Sequence, residues 1–331
     1  MYGKPLIWWL GLAICLAALG IAVPLYAGFL GEVHPGFDSI SHFRMHLAAG
    51  IALLAACLLF VRGWRLGVPL LLLIAAAPVA MTLGVPQFAA GAQAGDLPGN
   101  VAHYRFLHLN LRYDNPEPEA VLSLIGREKP DVISLVEVSR RLEPRLEPLA
   151  AAYPYRVRCP ANTRNGGVML LSRRPFAEGG KQECRDRGSL AIGTFDFGGR
   201  AVDVASLHLA WPWPFGQDWQ VGQVTPYLSG MSDTAIMAGD FNATPWSVMA
   251  RRLATDSGFH FTRWVGPTWL DRRLPVALKG WIGLPIDHVL VKDGITASPP
   301  VRLGYAGSDH FPVLTEFSVK APAPQTMRAG L

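Results

Sequence analysis

Charge is scarce in this 331-residue chain: 17% of residues are charged, 50% are hydrophobic, and the mean hydropathy is +0.23. A disordered chain or a charge-laced coiled coil needs more charge than this, so both are excluded. The shortage is greatest in the first third. Ahead of Asp96 stand four basic residues (Lys4, Arg44, Arg62, Arg65) and two acids (Glu32, Asp38), and the other 49 charges all follow. No internal repeat or low-complexity tract occurs, so no repeat architecture is indicated. Over residues 100 to 320 the net charge is +3, with the basic residues scattered. Despite a sequence pI near 9.1, no continuous stripe exists to track a phosphate backbone.

Cysteine is sparse as well, at four residues. Cys15 and Cys57 fall in the apolar third, where they act as small apolar side chains. Cys159 and Cys184 are the pair in the polar part. Outside the cytoplasm they can form a disulfide worth roughly 3 kcal/mol by loop entropy; the alternative is two free core thiols.

Three stretches lack charge altogether: residues 5 to 31, 45 to 61 and 66 to 95. A bilayer core of about 30 Å needs roughly 20 helical residues, so three transmembrane helices are expected, at about 6–29, 44–62 and 66–87. The first apolar run exceeds the roughly 7 to 15 residues of a cleaved signal core. Lys4, and then Arg62 and Arg65 beside Trp64, mark cytoplasmic sides, while Glu32 and Asp38 dominate the loop between. Arg44 is the dissenting charge. The expected protein is thus a multi-pass cell-membrane protein with its polar domain on the extracytoplasmic, periplasmic side. Its expected parts are a membrane anchor (1–95), a linker (96–101), a polar domain (102–319) and a disordered tail (320–331).

Inside the polar domain, Tyr104 to Leu111, Asp131 to Val138, Gly167 to Ser172, Leu190 to Phe197, Ala201 to Leu209, Thr234 to Phe241, Ile286 to Val291 and Phe311 to Val319 read as strands. Glu117 to Glu128 and Pro245 to Leu253 read as helices. The expected fold class is therefore mixed α/β. Several strands end in polar residues that apolar burial cannot explain, and strand ends sharing one side of a sheet make a site.

Glu137 follows Val132, Ile133, Leu135 and Val136, so its carboxylate needs a cationic partner. A hard divalent ion with oxygen ligands supplies one, and Asn110 offers a neutral oxygen. Asp240 and Asn242 are two residues apart and share a face on extended chain. One can take a proton from water while the other donates to a phosphate oxygen. Asp309-His310 and Asp287-His288 suggest an imidazole oriented by a carboxylate and held cationic. His208, closing another strand, can donate to phosphate. His103, His108 and His260 have no partner nearby in sequence and read as structural; His288 is ambiguous.

Leu-Asn110-Leu-Arg112, Leu-Val-Glu137, Ser-Leu-His208-Leu, Gly-Asp240-Phe-Asn242, Ile-Asp287-His-Val and Ser-Asp309-His310 together resemble the endonuclease/exonuclease/phosphatase superfamily, whose motifs occur in this order. The resemblance covers about residues 102 to 319. It implies a four-layer, DNase I-like α/β sandwich and phosphoester hydrolysis dependent on Mg2+, with Mn2+ as an alternative. It makes Glu137 the principal metal ligand, with Asn110 beside it and Asp309 as a further contact. It makes Asp240 the residue that orients or deprotonates water, has Asn242 and His208 hold phosphate, and has His310, oriented by Asp287, act on the transition state. Many nuclease members carry an acid where this chain has Arg112, which weakens a claim for a second metal. Arg112 is a candidate for pairing with substrate phosphate, or else a surface salt bridge.

Trp211-Pro-Trp213-Pro-Phe215 follows His208 closely, Trp219 comes next, and Trp246 follows Asn242. Aromatics flanking a phosphate site on a tethered domain suit a bilayer interface, so a lipid phosphate or polyprenyl pyrophosphate is the expected substrate and the bilayer an expected partner. Trp rings packed on the core are the alternative. The rival enzyme is a nuclease, and the rival of a different class is a catalytically silent, membrane-anchored binding module.

Overall fold

The structure, a computed structural model, describes residues 6–84, 97, 99 and 101–320. The expected tail beyond Lys320 and much of the expected linker lie outside the described residues. The first third forms α1 (Leu6–Ala27), continued as a 3-10 turn to Leu30, then α2 (Pro35–Ser41), α3 (Arg44–Leu58) and α4 (Gly67–Leu83). Ala18, Leu25, Ile51, Ala55, Leu58, Leu71 and Ala75 pack α1, α3 and α4 together. Leu16, Val23, Leu53, Leu70 and Leu73 on the same helices face outward and are exposed.

The expectation of three transmembrane helices is corrected here. Among the described residues one helix, the 25 residues Leu6–Leu30, is long and apolar enough to cross a bilayer, and a second span results only if the bent pair α2–α3 acts as one. The second stretch, residues 45 to 61, is helical only as far as Leu58, and α3 meets the preceding α2 at 57°. That leaves α3 with 15 residues, and α4 has 17. At 1.5 Å per residue, both fall short of a core of about 30 Å. Uncharged length overstated the helix of the second stretch because the chain turns after Leu58, and the end of the expected 66–87 span lies outside the described residues.

From Tyr104 the alternation of apolar residues builds two sheets. The first draws on β1 (Tyr104–Asn110), β2 (Val132–Val138), β3 (Tyr155–Cys159) and β4 (Gly167–Ser172), with α5 (Pro118–Glu128) crossing from β1 to β2. The second draws on β5 (Gln182–Arg185), β6 (Leu190–Asp196), β7 (Ala201–His208) and β8 (Ala235–Asp240), with α6 (Gln217–Ser229) crossing from β7 to β8. After α7 (Val248–Ser257) come β9 (His260–Phe261), α8 (Val276–Ile282), β10 (Asp287–Val291), β11 (Ile295–Ala297), β12 (Val301–Arg302) and β13 (Val313–Val319).

The sheet orders are β11-β13-β1-β2-β4-β3, with β12 also on β13, and β5-β6-β7-β8-β10-β9. The pairs β1/β2 and β7/β8 are parallel and the other ladders antiparallel. This is an α/β fold with two mixed sheets.

Period-two alternation sends one face of each sheet inward, where Phe106, Val136, Leu170, Phe195, Val204, Ile236, Val289 and Phe317 form the core. Leu107, Ile133 and Leu171 point outward and are covered by Val121, Leu124 and Ile125 of α5. Leu207, Met237 and Leu290 are covered by Val224 and Leu228 of α6 and Leu253 of α7. A disulfide joins Cys159 of β3 to Cys184 of β5. Since those are edge strands of opposite sheets, it staples the sandwich along one side.

Candidate active site

Each parallel pair ends its two strands on the same rim: Asn110 and Val138 in one sheet, His208 and Asp240 in the other. The antiparallel neighbours begin there. Asp287 opens β10 opposite Asp240, and His310 lies just before β13, whose Val313 pairs with His108. Topology alone thus gathers residues spread over 200 positions.

The Asn110 carboxamide joins the sheets, donating through Nδ2 to Glu137 Oε1 at 3.2 Å and to Asp240 Oδ2 at 2.9 Å. Its Oδ1 accepts from the Arg112 N–H, and Glu137 Oε2 accepts from the Tyr113 N–H, both at 2.8 Å. Glu137 sits where the β2/β4 register shifts between Leu135 and Val138, a bulge that re-aims its side chain. Glu137 and Arg112 both have φ of 57°, and Asn242 has φ of 47°. Non-glycine residues seldom adopt this left-handed region, which clusters at functional sites.

His310 donates from Nδ1 to Asp287 Oδ2 at 2.8 Å and turns Nε2 toward Asp240 Oδ2 at 3.6 Å. The second Asp287 oxygen, Oδ1, accepts from His108 Nε2 at 3.1 Å, and His108 Nδ1 meets Ser134 Oγ at 3.0 Å. Burial disfavours the His310 cation, but Asp287 and Asp240 outweigh it and push the ring up to about 10. Against the same burial, His310 and His108 hold the Asp287 carboxyl well below the usual carboxylate range. Burial pushes the Asp240 carboxyl up, with His310 and His208 acting the other way.

His208 Nε2 lies 3.7 Å from Asp240 Oδ2 and 4.0 Å from Glu137 Oε1. Asn242 donates its backbone N–H to Asp240 Oδ1 at 2.8 Å and one side-chain hydrogen to Leu209 O at 2.8 Å. No acceptor for the second amide hydrogen occurs among the described residues. Asp309 accepts from Trp269 Nε1 at 3.3 Å.

Arg112 is engaged elsewhere, its Nε on Asp114 Oδ1 at 2.7 Å and that same carboxylate held by Arg272. Trp211 and Trp213 stand half-exposed beside the rim. His288, ambiguous in sequence, bonds Ala243 O at 2.8 Å, and burial pushes it down to about 4, leaving it neutral.

Sequence reasoning missed three residues. His108 read as structural because Asp287 is 179 residues away. Trp269 holds Asp309. Lys279, buried in α8, donates to Ser308 O at 2.9 Å, and burial pushes its ammonium down to about 8. None carries a local pattern that would have found it.

Glu137 and Asp240 share one amide, and among the described residues no Lys or Arg ion-pairs with either or with Asp309. That surplus of carboxylate oxygen fits a hard divalent cation. Ligation through Asn110 Oδ1 would need the amide to turn half a rotation. Asp240, Asp287 and His310 also place possible ligand atoms within 4.8 Å of one another. Both Asp287 oxygens already serve imidazoles, however, so that trio is a hydrogen-bonded acid–base array.

The endonuclease/exonuclease/phosphatase family model matches residues 107–310, more than half the chain and all of the array. This chain belongs to that family. Structures of family members from Bacteroides vulgatus (15% identity, TM-score 0.54, covering 66% of this chain and 100% of theirs) and Beutenbergia cavernae (21%, 0.52, 66% and 72%) share its fold. So does D. rerio TDP2 complexed with a single-strand DNA product (15% identity, TM-score 0.53, 66% and 100%). No curated protein matches the chain in sequence.

Proposed function

We propose that this chain is a membrane-anchored, metal-dependent phosphoesterase that hydrolyses a phosphate ester or pyrophosphate by in-line attack of water. The observation that carries the reading is the bonded array from His108 through Asp287 and His310 to Asp240, ending beside the Glu137–Asn110 pair.

A bound Mg2+, or Mn2+ in its place, held by Glu137 with Asn110 and Asp309 as further oxygen donors, would offset charge on the phosphoryl oxygens. Asp240 orients the attacking water and takes its proton, a task that its raised carboxyl suits. His310, kept cationic by Asp287, aims Nε2 at charge developing on a nonbridging oxygen. The free Asn242 amide hydrogen and His208 hold the phosphate. His108 fixes the Asp287 carboxylate and is a positioning residue.

Anchorage is supported by the Leu6–Leu30 helix and by the exposed apolar faces of α3 and α4 packed beside it. The disulfide supports an extracytoplasmic, periplasmic-side domain. A half-exposed aromatic rim of Trp211, Trp213 and Trp219 with exposed Phe215 favours a lipid phosphate over nucleic acid.

Phosphoester cleavage by the full-length protein, abolished by EDTA and restored by Mg2+, is expected on at least one of a panel of lipid phosphates, lipid pyrophosphates, nucleotides and DNA. No EDTA-sensitive turnover on any of them would leave the silent binding module. A nuclease is the second reading, favoured by the DNA product in the D. rerio TDP2 structure. Its signature would be activity falling steeply with salt through counterion release.

A further inference from the structure

The anchor does more than tether the hydrolase domain, because its segment from Pro35 to Phe43 is built into it. Asp38, buried, accepts from the Val248 N–H at 2.7 Å and the Met249 N–H at 3.1 Å, capping α7 from outside. Trp246 Nε1 donates to Ser41 O at 2.8 Å, and Ser39 Oγ donates to Trp213 O at 3.0 Å. Between these joints lies a cavity of about 160 Å³. Ser39, His42 and Phe43 of the anchor line it together with Trp213, Trp269 and Ile286 of the hydrolase domain, and Asn242 of the proposed phosphate site also lines it. Its surface is almost wholly apolar.

Two features say what fills it. The first is continuity: the mouth is ringed by Trp211, Trp213 and Phe215, exposed by 50%, 50% and 70%, and the anchor wall leads directly into α3, whose outer face is bare hydrocarbon. The second is His42, a lining residue 3% exposed. Its Nδ1 faces the Asp38 and Ser39 carbonyls at 2.8 and 3.1 Å and so carries the proton. Its Nε2 is buried with no protein partner among the described residues. A buried imidazole acceptor left bare is costly, and a ligand hydroxyl or amide N–H that displaced its cover would relieve it.

We infer that the cavity takes the stem of a membrane lipid next to its phosphate, so that the substrate is an acyl- or alkyl-chain phosphoester drawn from the bilayer holding the anchor. The anchor thereby supplies part of the substrate site. The inference rests on the phosphoesterase reading above. Asn242 receives the phosphate, His42 Nε2 accepts from a hydroxyl or amide beside it, and the chain leaves along Phe43 and Trp213 toward the aromatic rim. A nucleic acid would leave this apolar wall in contact with sugar and water.

Two measurements test it on the full-length protein in nanodiscs with Mg2+. The first compares kcat/KM for a phosphatidylglycerol with long acyl chains and for its four-carbon analogue, in wild type, Phe43→Ala and Trp213→Ala. The long-to-short ratio should exceed about ten in wild type and fall at least fivefold in each variant. Equal losses on both esters, or no loss, would overturn the cavity assignment.

The second is independent of turnover. A His310→Ala protein is irradiated in nanodiscs carrying a phosphatidylglycerol with a diazirine near the carboxyl end of one chain. Label is expected on Leu284 and Ile286 themselves, located by fragment-ion sequencing apart from the exposed Trp281 and Ile282, since Leu284 and Ile286 are 8% and 2% exposed. Label confined to the outer faces of α1, α3 and α4 would overturn the assignment. If wild type cleaves no phosphoester at all, the phosphoesterase reading fails, and the labelling experiment still decides the cavity.

Discussion

His310 points Nε2 at Asp240 Oδ2 across 3.6 Å while Asp287 grips its Nδ1 at 2.8 Å. One carboxylate thus orients the ring and holds it protonated, and the other lies beside its Nε2. His310→Ala should lower kcat by about a thousandfold, within the range ascribed to a positioned acid or base. Asp287→Asn should lose nearly as much, because an amide there can present an N–H to Nδ1 and turn the ring the wrong way. Circular dichroism and thermal melting should stay near wild type for His310→Ala. Near-normal turnover in that variant would refute the assignment.

His108 makes a quieter claim. It touches no reacting atom, but its loss strands a buried Asp287 oxygen. His108→Ala should cost about 1–3 kcal/mol of stability and also depress kcat by about tenfold, moving the alkaline limb of the pH–rate profile with it. A stability loss with an unshifted profile would make His108 merely structural.

Glu137→Gln keeps the size and the left-handed backbone but removes the charge that the proposed cation needs. Mn2+ affinity, followed by calorimetry on the full-length protein, should fall by at least about a hundredfold, with activity restored poorly by excess metal. Unchanged binding would move the cation site elsewhere.

The strands that hold the site were legible because each is a run of apolar residues ending in a polar one. Asn110, Glu137, His208 and Asp240 all mark such ends. What escaped notice lacked that contrast. β3 carries Arg156 and Arg158, and α6 hides its buried face behind Gln217 and Gln220, whose amides hold the loop after His208. His108 looked ordinary because only the folded chain brings it to Asp287. Asp38 looked like a loop charge reporting on membrane topology, yet it is a buried helix cap. Apolar length likewise could not reveal that α2 and α3 meet at an angle, since bending leaves composition unchanged.

Asp38→Ala should expose how firmly the anchor is joined to the domain. Two first-turn N–H groups of α7 would lose their acceptor while buried, and the partial positive charge at that helix end would lose its carboxylate. A loss of about 1–3 kcal/mol is expected, lowering Tm by several degrees. Proteolysis between Glu32 and Phe43 should become faster. An unchanged melt and digest would mean that the joint does not depend on this contact.

Asp203 gives the pH dependence of stability a definite sign. It is buried in β7, and burial by itself would raise its carboxyl. Thr194 Oγ1 at 2.6 Å, the Ser232 N–H at 2.8 Å and Lys181 Nζ at 3.3 Å instead hold it below the ordinary carboxylate value. A carboxyl depressed on folding binds protons more readily in the unfolded chain. Its stabilisation is therefore full above the unfolded value near 4 and is lost as pH falls through the folded one. Asp203→Asn should be less stable than wild type at pH 7, and the gap should close on acidification toward pH 3, where wild type loses its own advantage. Parallel melting curves at every pH would show that Asp203 is not a source of the acid sensitivity.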